Sequence, residues 1–193
     1  KQFNPVSVID VMRKMGVQSK IAAVPSIFLG TSDITLKEMV SAYSTFSNKG
    51  VHSEPILVTK IEDKNGNTLA EFTSTKSEAI SEQTAYLMTN LLQSVVREGS
   101  GGRIRWRYNM YNEIGGKTGT TQNQSDGWFV GVTPNLVSGS WVGGEDRSVR
   151  FPGIRYGQGA TMALPIWGMY MKDLFKDEDF EVSAEKFEGP EYL

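Results

Sequence analysis

Lys117-Thr118-Gly119-Thr120-Thr121 is the stretch of this 193-residue sequence whose residue types and order can do chemistry. Gly115 and Gly116 precede it, and an aromatic run, Gly127-Trp128-Phe129, follows a few residues later. On an exposed strand edge, such a stretch can pair with an extended peptide through backbone donors and acceptors. Lys117 then sets a fixed positive charge near a substrate carboxylate and biases proton transfer in the adjacent hydrogen-bond network. Thr118 and Thr120 offer hydroxyls to that carboxylate. Gly119 lacks a side chain, so substrate and neighbouring catalytic groups can approach the backbone. A backbone N–H at the edge can stabilise the oxyanion of an acyl-transfer intermediate. Taken alone, the Lys-Thr-Gly triplet also fits an ordinary surface strand, and its surroundings must decide.

Three consecutive strands are expected around it, over 114–119, 127–133 and 137–142. Pro134-Asn135 supplies turn chemistry between the last two, so the three form an antiparallel meander. Ahead of them, Ser81 is a good N-cap for a helix over 82–97. There Leu87, Leu91 and Val95 recur every four residues, Met88, Leu92 and Val96 widen the apolar face, and Gly99, Gly101 and Gly102 end it. Thr35 and Glu38 form a capping box for a helix over 36–47, with Leu36, Met39, Val40, Tyr43 and Phe46 as its stripe. Ser7 and Asp10 suggest a short helix over 8–15 with one buried face. Residues 55–72 read as a hairpin turning at Asn65-Gly66, and the polar residues 73–80 connect it onward. A terminal helix packs its Trp167 on the sheet, with Pro165 either kinking it or starting its main part. From Lys172 to Leu193, eight acids stand against three lysines. The chain therefore divides into one domain over 1–175 and an acidic tail or linker over 176–193.

Composition removes several classes of function. With no cysteine there is no thiol nucleophile, disulfide framework or thiolate metal site. A single histidine, His52, rules out a His-rich metal site. A formal net charge of −2 gives no global signal for nucleic acid. No run reaches the roughly 18 apolar residues of a membrane span. Lys1–Pro5 does not read as a signal peptide.

Several separated motifs carry a resemblance. They are Pro25-Ser26-Ile27-Phe28-Leu29-Gly30, Thr35-Leu36-Lys37-Glu38-Met39 and the unbroken Ala42-Tyr43-Ser44-Thr45-Phe46-Ser47-Asn48-Lys49-Gly50. Further on stand Thr84-Ala85-Tyr86-Leu87-Met88, Val95-Val96-Arg97-Glu98-Gly99 and Gly116-Lys117-Thr118-Gly119-Thr120-Thr121. The set closes with Asp126-Gly127-Trp128-Phe129-Val130-Gly131, Trp141-Val142-Gly143 and Pro165-Ile166-Trp167. Over residues 6–175 the sequence resembles the C-terminal part of the transpeptidase domain of class A, bifunctional penicillin-binding proteins, so the chain is expected to be an incomplete part of that domain.

The resemblance implies an α+β, serine β-lactamase-like fold in which an antiparallel sheet packs with helices. It implies a peptidoglycan D,D-transpeptidase. A serine attacks the penultimate D-Ala of a stem peptide, D-Ala leaves, and an amine of a neighbouring stem resolves the acyl-enzyme. β-Lactams mimic the D-Ala-D-Ala end. Lys117 takes the proton-network and carboxylate role, Thr118 and Thr120 bind the carboxylate, the Thr120 N–H is an oxyanion donor, and Gly119 keeps the edge open. No cofactor or metal is implied. The expected setting is the periplasm, or the outer face of a bacterial cytoplasmic membrane. Intact class A proteins also carry a glycosyltransferase domain and a membrane anchor, expected to lie outside this sequence.

The family also needs Ser-x-x-Lys, whose serine is the nucleophile, and Ser-x-Asn. The only Ser-x-x-Lys here is Ser183–Lys186, in the acidic tail and far beyond the family position, and Ser-x-Asn does not occur. Both motifs precede residue 1 in family order. The expected partner is therefore an upstream polypeptide carrying them, and this chain alone is expected to be inactive. Its helices then have apolar faces that need covering. Alternatives are an inactive binding or sensor domain, and a D,D-carboxypeptidase or β-lactamase in which water resolves the acyl-enzyme.

Other candidates read more blandly. His52 lacks a Gly-x-Ser-x-Gly partner motif and suits a peripheral or satisfied loop position. Asp126, Glu145 and Asp146 lack a metal-loop signature. Arg97, Arg103, Arg105 and Arg107 form a local basic cluster that fits either a solvated face or an anionic polymer. Trp128 and Trp141 suit core or groove wall, and Trp106 suits an exposed contact.

Overall fold

A three-stranded antiparallel sheet with a helix layer on each face carries the candidate stretch. The computed structural model describes residues 4–180, 182 and 185–191. In chain order the elements are α1 (Pro5–Lys14), a 3₁₀ turn (Pro25–Leu29), α2 (Leu36–Ser47), β1 (Val51–Ser53), β2 (Lys60–Glu62), β3 (Thr68–Glu71) and β4 (Lys76–Glu78). Then come α3 (Glu82–Arg97), α4 (Arg103–Trp106), β5 (Gly115–Thr120), a 3₁₀ turn (Gln122–Gln124), β6 (Asp126–Val132), β7 (Val137–Gly143) and α5 (Gly159–Leu174).

Local chemistry explains most boundaries. In α2 the Thr35 side chain accepts from the Glu38 N–H at 3.2 Å, and Glu38 reaches back to the Thr35 N–H at 3.0 Å, closing the capping box. α1 starts earlier than Ser7 suggests. Asn4 accepts from the Val6 N–H at 3.0 Å, and Pro5 at the first helical position has its φ already set for a helix. None of the α1 residues is fully buried, so the expected buried face is only partly covered. In α3 the Ser81 cap holds, but the buried stripe is Ala85, Thr89, Leu92, Gln93 and Val96. Leu87 and Leu91, expected in the core, are 54% and 62% exposed. Hydrophobicity alone misphased this helix by about one position, because Thr89 and Gln93 take inward sites.

The expected hairpin is shorter and sits on a second pair of strands. β2 pairs with β3, and Asp63 Oδ1 accepts from the Asn65 and Asn67 N–H groups at the tip. β1 pairs with β4, so the polar connection over 73–80 contains a strand.

The main sheet has the order β5-β6-β7. Lys117 lies opposite Val130, Thr118 opposite Phe129 and Gly119 opposite Trp128. Because side chains alternate along a strand, the sheet has two distinct faces. α5 covers the one bearing Phe129, whose ring meets Trp167 edge-on with centroids 5.0 Å apart. Trp167 Nε1 also donates to Ser138 Oγ at 2.8 Å. Ile104, Ile114, Leu164 and Met171 complete this core. Pro165 lies inside α5, a full turn past its start, rather than opening the helix.

α2 covers the other face less completely. Leu36 and Val40 approach Gly139. A groove of about 600 Å³ remains between α2, the end of β1 and β7. Along β7 no residue is fully buried, and Trp141 is 41% exposed. Among the described residues, the outer edges of β5 and β7 have no strand partner.

Glu38 joins more than its own helix. Besides capping α2, it accepts from the Gln18 and Ser19 N–H groups, both at 2.7 Å, and from Ser19 Oγ at 2.6 Å. Desolvation raises its pKa, but hydrogen bonds from Ser19, Thr35 and the Gln18 and Thr35 backbones outweigh this and lower it to about 2. A carboxyl depressed in the folded state stabilises the fold above its unfolded value, near 4.5, and that contribution is lost as pH falls toward 2. Glu38→Gln is therefore expected to lower the thermal midpoint at pH 6, with a gap from wild type that narrows between pH 4.5 and 2. A gap independent of pH would contradict this assignment.

Candidate active site

β5 lies at one side of the sheet and, among the described residues, pairs only with β6. Its residues divide between the two faces. Thr118 and Thr120 share the face of Phe129 and α5, whereas Lys117 and Gly119 share the face of Val130, Trp128 and α2. The structure thus brings the two threonines together and sets Lys117 on the opposite flank. The flexible lysine stem partly reverses that separation, because Nζ donates to the Thr118 carbonyl oxygen at 2.7 Å. Its ammonium is exposed at the strand.

Each threonine hydroxyl is held from behind. Thr118 Oγ1 lies 2.6 Å from Ser100 Oγ, in the turn that ends α3. Thr120 Oγ1 accepts from the Gly159 N–H, the first of α5, at 2.9 Å. That approach requires glycine: a Cβ on Gly159 would stand 2.2 Å from the Gly119 carbonyl oxygen and 2.5 Å from that of Trp128. At Gly119 a Cβ would come within 3.1 Å of the Trp128 Cβ, so this glycine also serves cross-strand packing. Trp128 and Trp141 pair edge-on across β6 and β7, with centroids 6.5 Å apart, on the Lys117 face. They line a half-open wall and not the core.

Sequence reasoning missed Ser100 and Gly159 as neighbours of the site. In the sequence, Gly99, Gly101 and Gly102 read only as a helix stop. No local pattern marks Ser100 or Gly159, since the contacts join residues 18 and 39 positions apart.

The other candidates fall elsewhere. Arg103 donates to the Ala160 carbonyl at 2.9 Å, and Arg105 donates to those of Met110 and Asn112 at 2.9 and 2.8 Å. Half of the basic cluster therefore holds backbone in place. Trp106, 68% exposed, is open to solvent. His52 is buried in β1 against Gly16, not peripheral, and its Nδ1 has no partner among the described residues. Asp126 begins β6. No group of three or more metal-ligating side chains occurs among the described residues. Ser183 lies outside them.

Residues 15–142 match the family described as the penicillin-binding protein transpeptidase domain. The chain belongs to that family. Penicillin-binding protein 1A of Aquifex aeolicus is 34% identical over 181 residues, which are 92% of this chain and 24% of that protein. Penicillin-binding protein 1A of Neisseria meningitidis is 33% identical over 174 residues, 86% of this chain and 21% of that protein. The chain thus spans about a quarter of these relatives. Among solved structures, PonA1 of Mycobacterium tuberculosis in complex with penicillin V superposes with a TM-score of 0.77 at 25% identity, covering 98% of this chain and 54% of that one. Penicillin-binding protein 1A of Haemophilus influenzae gives a TM-score of 0.76 at 24% identity, covering 89% and 33%. The expected α+β transpeptidase fold is thereby established.

The contact between Gly159 and β5 can be tested directly. Gly159→Ala is expected to cost about 1–3 kcal/mol, the usual range for overpacking. Urea denaturation would measure it; a change under about 0.5 kcal/mol would mean that α5 does not press on β5 as described.

Proposed function

We propose that this chain supplies the lysine-bearing wall of a peptidoglycan D,D-transpeptidase active site. The observation that carries the reading is the outer edge of β5, unpaired among the described residues, with two anchored hydroxyls on one flank and a lysine on the other. An unpaired edge can take an extended peptide as an added strand. A stem peptide ending in D-Ala-D-Ala lies along it, its terminal carboxylate received by Thr118 and Thr120, with the Lys117 ammonium nearby.

The reaction needs a serine from polypeptide carrying Ser-x-x-Lys and Ser-x-Asn. Its oxygen attacks the carbonyl of the penultimate D-Ala while its proton passes to a neighbouring base. The Thr120 N–H and a second donor stabilise the oxyanion that forms. Collapse breaks the peptide bond as the base passes that proton to the nitrogen, and the terminal D-Ala leaves as a free amine. The amine of a second stem peptide then attacks the ester, releases the serine and leaves a cross-link. A β-lactam follows the same first step, but its ring-opened leaving group stays attached. Lys117 and Thr120 act as catalytic residues, and Lys117, Thr118, Gly119 and Thr120 bind substrate or drug. Substrate of this kind places the reaction in the periplasm or on the outer face of the cytoplasmic membrane. Residues 1–175 serve this site, and 176–193 form an acidic tail or linker.

Intact mass after benzylpenicillin treatment tests the reading. A covalent adduct is expected on the polypeptide that carries Ser-x-x-Lys, and none on this chain. Lys117→Ala should slow adduct formation by about 10- to 100-fold, the scale of one charge-assisted hydrogen bond. An adduct on this chain would contradict the assignment of the nucleophile. Folded material that contains both parts and forms no adduct would point to a binding or sensor role.

A further inference from the structure

Ser100 stands outside every motif assigned to the site, yet its hydroxyl lies 2.6 Å from that of Thr118. This distance is at the short end for two hydroxyls. The turn that presents Ser100 is itself fixed. Glu98 N–H donates to the Ser94 carbonyl at 2.9 Å, Gly101 N–H to the Val95 carbonyl at 3.0 Å, and Gly102 N–H to the Gly99 carbonyl at 3.0 Å. Ser100 is therefore carried on the wound-down end of α3, a helix rooted in the core by Leu92 and Val96.

The polarity of these contacts matters. A backbone N–H can only donate, so the Gly159 N–H fills an acceptor site on Thr120 Oγ1 and leaves the threonine proton for another acceptor. The Ser100–Thr118 pair can run either way while the cleft is empty. A carboxylate in the cleft accepts only, so it draws the Thr118 proton and makes Ser100 the donor to Thr118 Oγ1. A hydroxyl that donates while accepting is a stronger donor, because aligned hydrogen bonds polarise one another. On the shared face of β5, Thr118 and Thr120 would then present two protons whose oxygens are already held from behind.

We propose that Ser100 is a positioning residue, which fixes and polarises the Thr118 hydroxyl so that Thr118 and Thr120 receive a ligand carboxylate as a preset pair. The inference rests on the transpeptidase reading above, and deepens it by adding a residue that acts through Thr118. It gives the Gly99-Ser100-Gly101-Gly102 turn a role beyond ending α3.

The test uses the complete enzyme, this chain together with the polypeptide bearing Ser-x-x-Lys. Acylation rates are followed under excess ligand for benzylpenicillin and for its methyl ester, which lacks the anionic carboxylate. Rates measured on the fraction that acylates do not depend on how much protein is folded. Ser100→Ala is expected to slow acylation by benzylpenicillin about three- to tenfold, the scale of one neutral hydrogen bond, and to leave the ester nearly unchanged. Ser100→Thr, which keeps a hydroxyl, should restore most of the benzylpenicillin rate. On a Thr118→Val background, Ser100→Ala should cost nothing further. Equal slowing with acid and ester, no slowing at all, or full additivity with Thr118→Val would overturn the positioning role. If Thr118→Val itself fails to distinguish acid from ester, the carboxylate site is wrong, and the role of Ser100 falls with it.

Discussion

A strand edge that is to receive a peptide must stay unpaired and still keep its shape. Those demands conflict, because pairing is what holds most strands flat. Here β5 is fixed from the sides that remain. β6 pairs with it along its full length, and the first residue of α5 presses against its rear. The second contact is possible only because residue 159 has no side chain, and it delivers a backbone N–H to Thr120. The end of α3 holds Thr118 through the Ser100 hydroxyl. The edge is thus made rigid by two helix ends and one strand, while no strand among the described residues pairs with its outer side, where Lys117 Nζ already holds the Thr118 carbonyl. An unpaired edge is normally a hazard for self-association. At this site the short strand and the exposed lysine limit that hazard.

Much of this was legible in the sequence, and the exceptions share a cause. The Thr35/Glu38 capping box and the Ser81 cap gave two helix starts, because cap chemistry is local. The strand meander followed from its three runs and from the turn chemistry of Pro134-Asn135. Periodicity failed in α3, where Leu87 and Leu91 point outward and Thr89 and Gln93 point inward. It failed because the count was of apolar residues, and burial here follows the neighbours of the helix. β4 was missed because Lys76-Ser77-Glu78 is wholly polar and exposed, held by pairing with β1 rather than by a hydrophobic face. The KTG stretch was found by type and spacing, but the split of Lys117 from the threonines needed the register. Ser100 and Gly159 needed the fold itself.

The open surfaces form a coherent set. The groove between α2 and β7, the unpaired β7 edge, the half-buried β7 side chains and the outward leucines of α3 all lie outside the core around Trp167. That core, by contrast, is closed on the α5 side. The chain aligns with only about a quarter of its curated relatives. One face of the sheet is closely packed by α5, and along β7 the other is only half covered.

Where a ligand lies against β5 is the decisive observation. A crystal structure of the complete enzyme acylated by a penicillin tests this most directly. The drug carboxylate is expected within hydrogen-bond distance of both Thr118 Oγ1 and Thr120 Oγ1, with its amide chain running along the outer edge of β5. A carboxylate bound away from both threonines, or a β5 edge already covered by another protein strand, would contradict it.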